Sequence, residues 1–173
     1  MDAAFLLRLQ KLLTRNTYDE RRYALGERPG TYKRHDFVTG WQEVGASVED
    51  TAEETAELLS ELRDLPPSLP AEKILTAGAY FHAKLENIHP FADGNGRTGR
   101  LAMNYFLVTH NHPPITVHEQ DRAGYYAALE AWDSAQELEP LRTFLTEQSI
   151  KTWSGRAEDS GHSGASPRLR DFL

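Results

Sequence analysis

No cysteine occurs in the chain, which excludes disulfides and thiolate metal sites and agrees with a reducing compartment. There is also no run of about 18 apolar residues, the least that a membrane-spanning helix needs. The opening, Met1-Asp2-Ala3-Ala4-Phe5-Leu6-Leu7-Arg8, is too short and too soon charged for a secretory signal. The expected location is therefore cytoplasmic, with no membrane partner. Positive charge is the scarcer sign: Lys and Arg number 19 against 26 Asp and Glu, a formal net charge of −7. A nucleic-acid binder carries a broad basic footprint, so nucleic acid is not an expected partner. No internal repeat marks a solenoid or array.

What is present is globular. A length of 173 residues, with 39 % apolar and 26 % charged, suits one domain around one core. Charge is unevenly placed: residues 1–35 are rich in Arg and Lys, and residues 43–64 are acidic apart from Arg63. Both stretches read as solvated faces, and the first also as a patch that an acidic partner would suit.

Apolar spacing at three and four residues predicts helices over 2–15, 47–65, 71–88, 95–111, 119–133 and 138–153. Phe5, Leu6, Leu9, Leu12 and Leu13 make the first buried stripe. Ser47 can cap the second helix, whose first turns are crowded with acids. In the third, Ile74, Leu75, Gly78, Phe81, His82, Leu85 and Ile88 form one buried face. Leu141, Phe144, Leu145 and Ile150 close the core, with Trp153. Between the first two helices the helical period is lost. Pro29-Gly30 marks a turn, and Thr31 to Thr39 has strand-like composition ahead of Gly40, so a small β-hairpin is expected around 31–44. His82 belongs to the core. His110 and His112 have no further ligand at metal spacing and read as ordinary residues at a helix C-terminus. From Gly155 the composition turns to Gly, Ser, Glu, Asp and Pro. The expected domain is 1–154, with 155–173 a disordered tail.

Residues 89–100 stand at the centre of this plan: His89-Pro90-Phe91-Ala92-Asp93-Gly94-Asn95-Gly96-Arg97-Thr98-Gly99-Arg100. They form a loop that leaves one helix and opens another, with Pro90 breaking helical geometry at His89. A helix N-terminus offers free N–H groups and the positive end of a dipole to an anion. Gly94 and Gly96 let the backbone curl around a phosphate. Arg97 and Arg100, three apart, project from one side of the helix and suit a polyphosphate. Asp93 suits a Mg²⁺ shared with phosphate oxygens, and a neutral His89 can take a proton from an attacking hydroxyl. Together the residues describe a phosphate-transfer site. The pattern G-x-G-x-x-G over Gly94 to Gly99 also fits a dinucleotide-binding loop, but that loop follows a strand and here a helix precedes it. A Walker A loop is excluded, since no Gly-Lys-Ser/Thr follows.

The stretch resembles the motif of the Fic (Fido) family: His, Pro, Phe, two variable positions, Gly-Asn-Gly-Arg, two variable positions, Arg. Every fixed position is present. The resemblance implies an all-α Fic helical fold with a small β-hairpin flap beside the active site. It also implies Mg²⁺-dependent transfer of AMP from ATP to a hydroxyl side chain of a target protein. In such a protein His89 is the base and Asp93 holds the metal on the phosphates. Gly94, Asn95 and Gly96 cradle the phosphates with Thr98 and Gly99 alongside; Arg97 and Arg100 reach the outer ones. Phe91 anchors the loop in the core. Tyr125 and Tyr126 match a tyrosine pair that lies against the adenine. Thr39, Gly40, Trp41 and Gln42 match the flap, where a target segment pairs by its main chain.

Members of the wider fold phosphorylate instead, as Doc-type toxins do, and a nucleotide-binding docking module without turnover is a rival of another class. An intact Gly-Asn-Gly-Arg core and an intact His89 favour AMP transfer. Many Fic proteins carry an inhibitory helix reading Ser/Thr, three variable residues, Glu, then Gly or Asn, whose Glu pairs with the motif's last arginine, here Arg100. Ser154 to Glu158 is followed by Asp159 and Thr143 to Glu147 by Gln148, so neither is a complete copy. An antitoxin-like partner, a segment preceding this chain, or the absence of such control remain as explanations.

Overall fold

Asp2 starts the first helix by accepting a 2.8 Å hydrogen bond from the backbone N–H of Phe5, as short polar side chains do at a free helix N-terminus. The computed structural model describes residues 1–39 and 42–159, with backbone alone for 37–39, 42–44 and 155–159. The elements run α1 (Ala3–Thr14), α2 (Glu20–Ala24), β1 (Phe37–Thr39), β2 (Gln42–Val44), α3 (Thr51–Arg63), α4 (Ala71–Ile88), α5 (Asn95–Thr109), α6 (Arg122–Ala135) and α7 (Glu139–Asp159). A 3-10 turn at Glu119–Asp121 leads into α6.

Helix α4 is the axis of the core. α3, α5, α6 and α7 all pack on it, so Ala79, Phe81, Ala83, Leu85 and Ile88 are buried together. The spacing predicts one buried face, and the neighbours bury more than one. Among the described residues no helix is long and apolar enough to cross a membrane.

α1 packs on α5 and α3 through Leu6, Gln10 and Thr14, all fully buried. The predicted stripe included Leu12, which is instead 59 % exposed. A polar residue displaces it because Gln10 is fully bonded: its Nε2 donates to the carbonyl of Asp93 at 2.9 Å and to the Tyr18 hydroxyl at 3.1 Å. Its Oε1 accepts from the N–H of Gly30 at 2.6 Å. A buried amide satisfied on every side costs little, and here it ties three segments together.

Ser47 does cap the approach to α3, its Oγ accepting from the N–H of Asp50 at 3.1 Å. Regular helix then begins at Thr51. In α7 Leu141 and Leu145 are buried, but Ile150 is 63 % exposed against expectation. The buried stripe continues through Gln148, which bonds to the Asp121 carboxylate and the N–H of His118, and a residue two further on falls on the opposite side of the helix. Backbone helix runs on through 155–159, where the composition predicts a structureless tail. The rest of that tail, 160–173, lies outside the described residues.

The strands pair antiparallel, with Phe37 opposite Val44 and Thr39 opposite Gln42. Pairing is shorter than the 31–44 expected from composition, because residues 33 and 34 are engaged elsewhere: the N–H of Lys33 bonds to the Pro90 carbonyl and that of Arg34 to the Glu27 carboxylate. Gly40 and Trp41 lie outside the described residues, and of Thr39 and Gln42 only the backbone is described.

Candidate functional site

The motif loop begins where α4 ends. His89 takes a left-handed conformation, φ 51° and ψ 58°, a region His visits more readily than most side chains. Pro90 predicts an extended His89; the left-handed turn is a sharper exit that leaves its N–H bonded to the Leu85 carbonyl at 3.1 Å. Phe91 is fully buried and stacks on Tyr32 at 6.2 Å. The Asn95 side chain then closes the loop: Oδ1 accepts from the N–H of Phe91 at 2.9 Å and Nδ2 donates to its carbonyl at 2.7 Å. Gly94 sits at φ 84°, where a Cβ would lie 2.4 Å from Cγ2 of Thr14. The first intrahelical bond of α5 runs from the N–H of Thr98 to the Gly94 carbonyl. The N–H groups of Asn95, Gly96 and Arg97 precede it, so they are free for an anion.

The α1–α2 connection beds the outer side of this loop. Arg22 Nε donates to the Ala92 carbonyl at 3.3 Å. The Asp93 carboxylate accepts from the Thr17 hydroxyl and pairs with Arg97 at 3.0 Å. Arg97 also reaches the Leu13 carbonyl at 3.3 Å.

The segments flanking the β1–β2 pair bracket His89. Lys33 N–H bonds to the Pro90 carbonyl and Ala46 N–H to the Ile88 carbonyl, each at 2.9 Å. Gly45, at φ 89°, passes so close that a Cβ would stand 2.5 Å from that of His89. Burial holds the His89 imidazole below its ordinary pKa, and the positive charge of Lys33 adds to this. A hydrogen bond to the backbone carbonyl of Glu86 pulls the other way. The ring is therefore neutral near pH 7, and the nitrogen that donates to this carbonyl leaves the other as a proton acceptor.

On the inner side Arg100 donates to the Tyr125 hydroxyl at 3.2 Å and lies 5.5 Å from the centre of that ring. Tyr125 is only 2 % exposed, stacked against His82, while Tyr126 is 52 % exposed. Arg122 bonds to the Tyr126 hydroxyl at 3.2 Å and covers its ring. A cavity of about 260 Å³ opens between them, lined by Arg100, Val117, His118, Arg122, Tyr125 and Tyr126.

A family model described as Fic/DOC family matches residues 1–107, which include the whole loop. The chain belongs to the Fic/DOC family. Over 74 residues it is 42 % identical to a Drosophila persimilis protein named protein adenylyltransferase Fic, and 40 % identical to its Drosophila melanogaster namesake. Those matches cover 43 % of this chain but 14 % and 15 % of the two proteins, so the chain corresponds to a small part of either. Among solved structures it resembles a Fic domain containing signaling protein of Bacteroides thetaiotaomicron with a TM-score of 0.71 and 22 % identity, over 89 % of this chain and 61 % of that one. C. elegans Fic-1 gives 0.69 and 23 % over 92 % and 45 %. A Fic family protein of Desulfovibrio desulfuricans gives 0.67 and 26 % over 95 % and 49 %.

The Fic/DOC motif loop carries His89, Asp93 and Gly94 between α4 and the start of α5, where Asn95, Gly96 and Arg97 follow, and its geometry rearranges several expectations. Asn95 offers its N–H there, because its side chain is spent inside the loop. Thr98 and Gly99 are buried and face the core: a Cβ on Gly99 would meet Glu86 Oε1 at 2.8 Å and His82 Nδ1 at 2.9 Å. Neither is open to a ligand. Arg97 and Arg100 have different partners, one drawn to Asp93 and the other to Tyr125. Tyr125 presents no free face to a base; Tyr126 is half exposed, with Arg122 over its ring. Glu86, His118 and Arg122 were invisible to motif reading. Glu86 sits one helical turn before His89, and His118 and Arg122 flank the tyrosine pair, spacings that carry no signal without the fold.

Proposed function

We propose that this chain is a protein adenylyltransferase domain, moving AMP from ATP to a hydroxyl side chain of a target protein. The observation that carries the reading is the meeting of a buried, neutral His89 with the free N–H groups that open α5. A neutral imidazole is the form that accepts a proton, and oriented N–H groups at a helix N-terminus stabilise phosphate charge without reorganising.

In this reaction the target hydroxyl oxygen attacks the α-phosphorus of ATP while its proton passes to His89. The bond from that phosphorus to the bridging oxygen breaks, and pyrophosphate leaves with the electron pair. The N–H groups of Asn95, Gly96 and Arg97 hold the phosphates in line, and Arg97 and Arg100 take the charge of the outer ones, as phosphoryl chemistry asks mainly for positioning and neutralisation. Arg97 must release Asp93 to do so. No group of three or more His, Cys, Asp or Glu forms a metal cage among the described residues. The lone Asp93 carboxylate at the mouth fits Mg²⁺ when phosphate oxygens complete its shell. Mg²⁺ there would neutralise phosphate charge. Tyr126 supplies a planar face for the base.

The target docks at the hairpin, whose flanks are tied to the carbonyls on either side of His89. That attachment supports main-chain pairing of an extended segment of the target within reach of the imidazole. An inhibitory partner, where one exists, would act on Arg100. The names of the Drosophila relatives support the same activity. The test is transfer of label from α-³²P-ATP with Mg²⁺ to proteins of a cell lysate. Label is expected with the intact chain and absent with His89→Ala. Equal labelling by both would overturn the reading.

A further inference from the structure

Arg100 is enclosed by a buried chain of polar groups behind the motif. Its Nη1 donates to the Tyr125 hydroxyl, so that hydroxyl spends its own proton on His82 Nε2, 2.7 Å away. His82 is thereby the tautomer with its proton on Nδ1, and Nδ1 faces Glu86 Oε1 at 3.9 Å. Both atoms are buried and without a hydrogen-bond partner. This is not an ion pair, because burial and the nearby Arg100 hold His82 neutral.

Glu86 itself, on α4, is 16 % exposed and faces the first turns of α5 at Gly96 and Gly99. A Cβ on Gly96 would lie 3.8 Å from Glu86 Oε1 and 3.1 Å from Arg100 Nη1, so the carboxylate and the guanidinium border the same glycine at the phosphate mouth. The groups facing Glu86 are Arg100 on α5, Asp133 on α6, Tyr125 on α6 and His82 on its own helix. Arg100 is the cation among them, and no salt bridge joins it to Glu86 among the described residues.

We propose that Glu86 is the internal counter-charge of Arg100, a positioning residue that takes up a proton when a nucleotide triphosphate seats on that arginine. The inference rests on the proposed nucleotide site. The physics is competition for one cation. An ionised Glu86 attracts Arg100 through space, and a triphosphate draws it toward the mouth. The phosphates bring negative charge next to a carboxylate already deprived of water, which favours its neutral form. Burial has already pushed Glu86 up to about 7, so the exchange falls in the physiological range. A carbonyl of the same residue orients His89, so Glu86 touches both ends of the site.

The test is ATP binding with Mg²⁺ by titration calorimetry at pH 6 and pH 8.5, for the wild type, Glu86→Gln and Glu86→Asp. Comparing variants at each pH cancels the titration of ATP itself. The wild-type affinity is expected to fall about tenfold more than that of Glu86→Gln, the effect of one unit of coupled pKa shift, with Glu86→Asp restoring the slope. Parallel falls in all three would overturn the role of Glu86 alone. Absence of ATP binding at every pH would overturn the proposed function with it. Should Glu86→Gln not fold, wild-type binding at pH 8 in two buffers of different ionisation enthalpy counts the proton directly. Uptake is expected there, and none would overturn the inference.

Discussion

At the scale of single residues, His89 and Glu86 carry opposite burdens of burial. His89 is kept neutral and ready to accept a proton. Its removal in His89→Ala should lower transfer by about 10²–10⁴-fold, with ATP affinity unchanged in a binding titration. Glu86 pays for its position in stability. Its folded pKa, about 7, lies above the ordinary 4.5, so its contribution is complete below pH 4.5 and is lost as pH rises through 7. Glu86→Gln is therefore expected to raise stability by about 1–3 kcal/mol at pH 8 and to leave it unchanged near pH 4, as urea melts at the two pH values would show. His82 has the reverse sign. Burial pushes it down to about 3 from 6.5, so its contribution is complete above pH 6.5 and is lost as the pH falls towards 3. The motif made His89, Asp93 and the glycines legible, because their chemistry is local to the loop. Glu86 and Gln10 were not legible, since a polar residue at a core position differs from a surface one only by partners the chain supplies from far away.

At the scale of elements, the loop from α4 to α5 holds its shape through Asn95 and Gly94. Gly94→Ala places a Cβ against Thr14 at a left-handed φ and should destabilise the fold by about 1–3 kcal/mol, measured by thermal melting. Asn95→Ala leaves the N–H and carbonyl of Phe91 unpaired in a buried loop and should cost a similar ~1–3 kcal/mol. A fall in transfer should accompany it, although the Asn95 side chain itself does not face the mouth. Helix existence was readable from spacing for α1 and for α3 to α7, but α2 (Glu20–Ala24) lies where the helical period is lost. Helix faces were less so. Leu12 and Ile150 looked like stripe members, but neighbouring helices buried Gln10 and Gln148 in preference. The strands were the least legible element, because residues 33 and 34 look strand-like yet spend their N–H groups on Pro90 and Glu27.

At the scale of the whole molecule, three segments distant in sequence converge on the motif: α1 to α2 through Gln10, Thr17 and Arg22, the flanks of the β1–β2 pair through Lys33 and Ala46, and α6 through Tyr125. The family model covers residues 1–107, so α6 and α7, with the tyrosine pair and the cavity beside it, lie beyond what that match describes. The most direct measurement of the central claim is a parallel incubation with α-³²P-ATP and γ-³²P-ATP, with Mg²⁺ and target-containing lysate. AMP transfer predicts labelled protein from the α-labelled nucleotide only. Label arriving from the γ position would contradict it and make the same loop the site of a kinase.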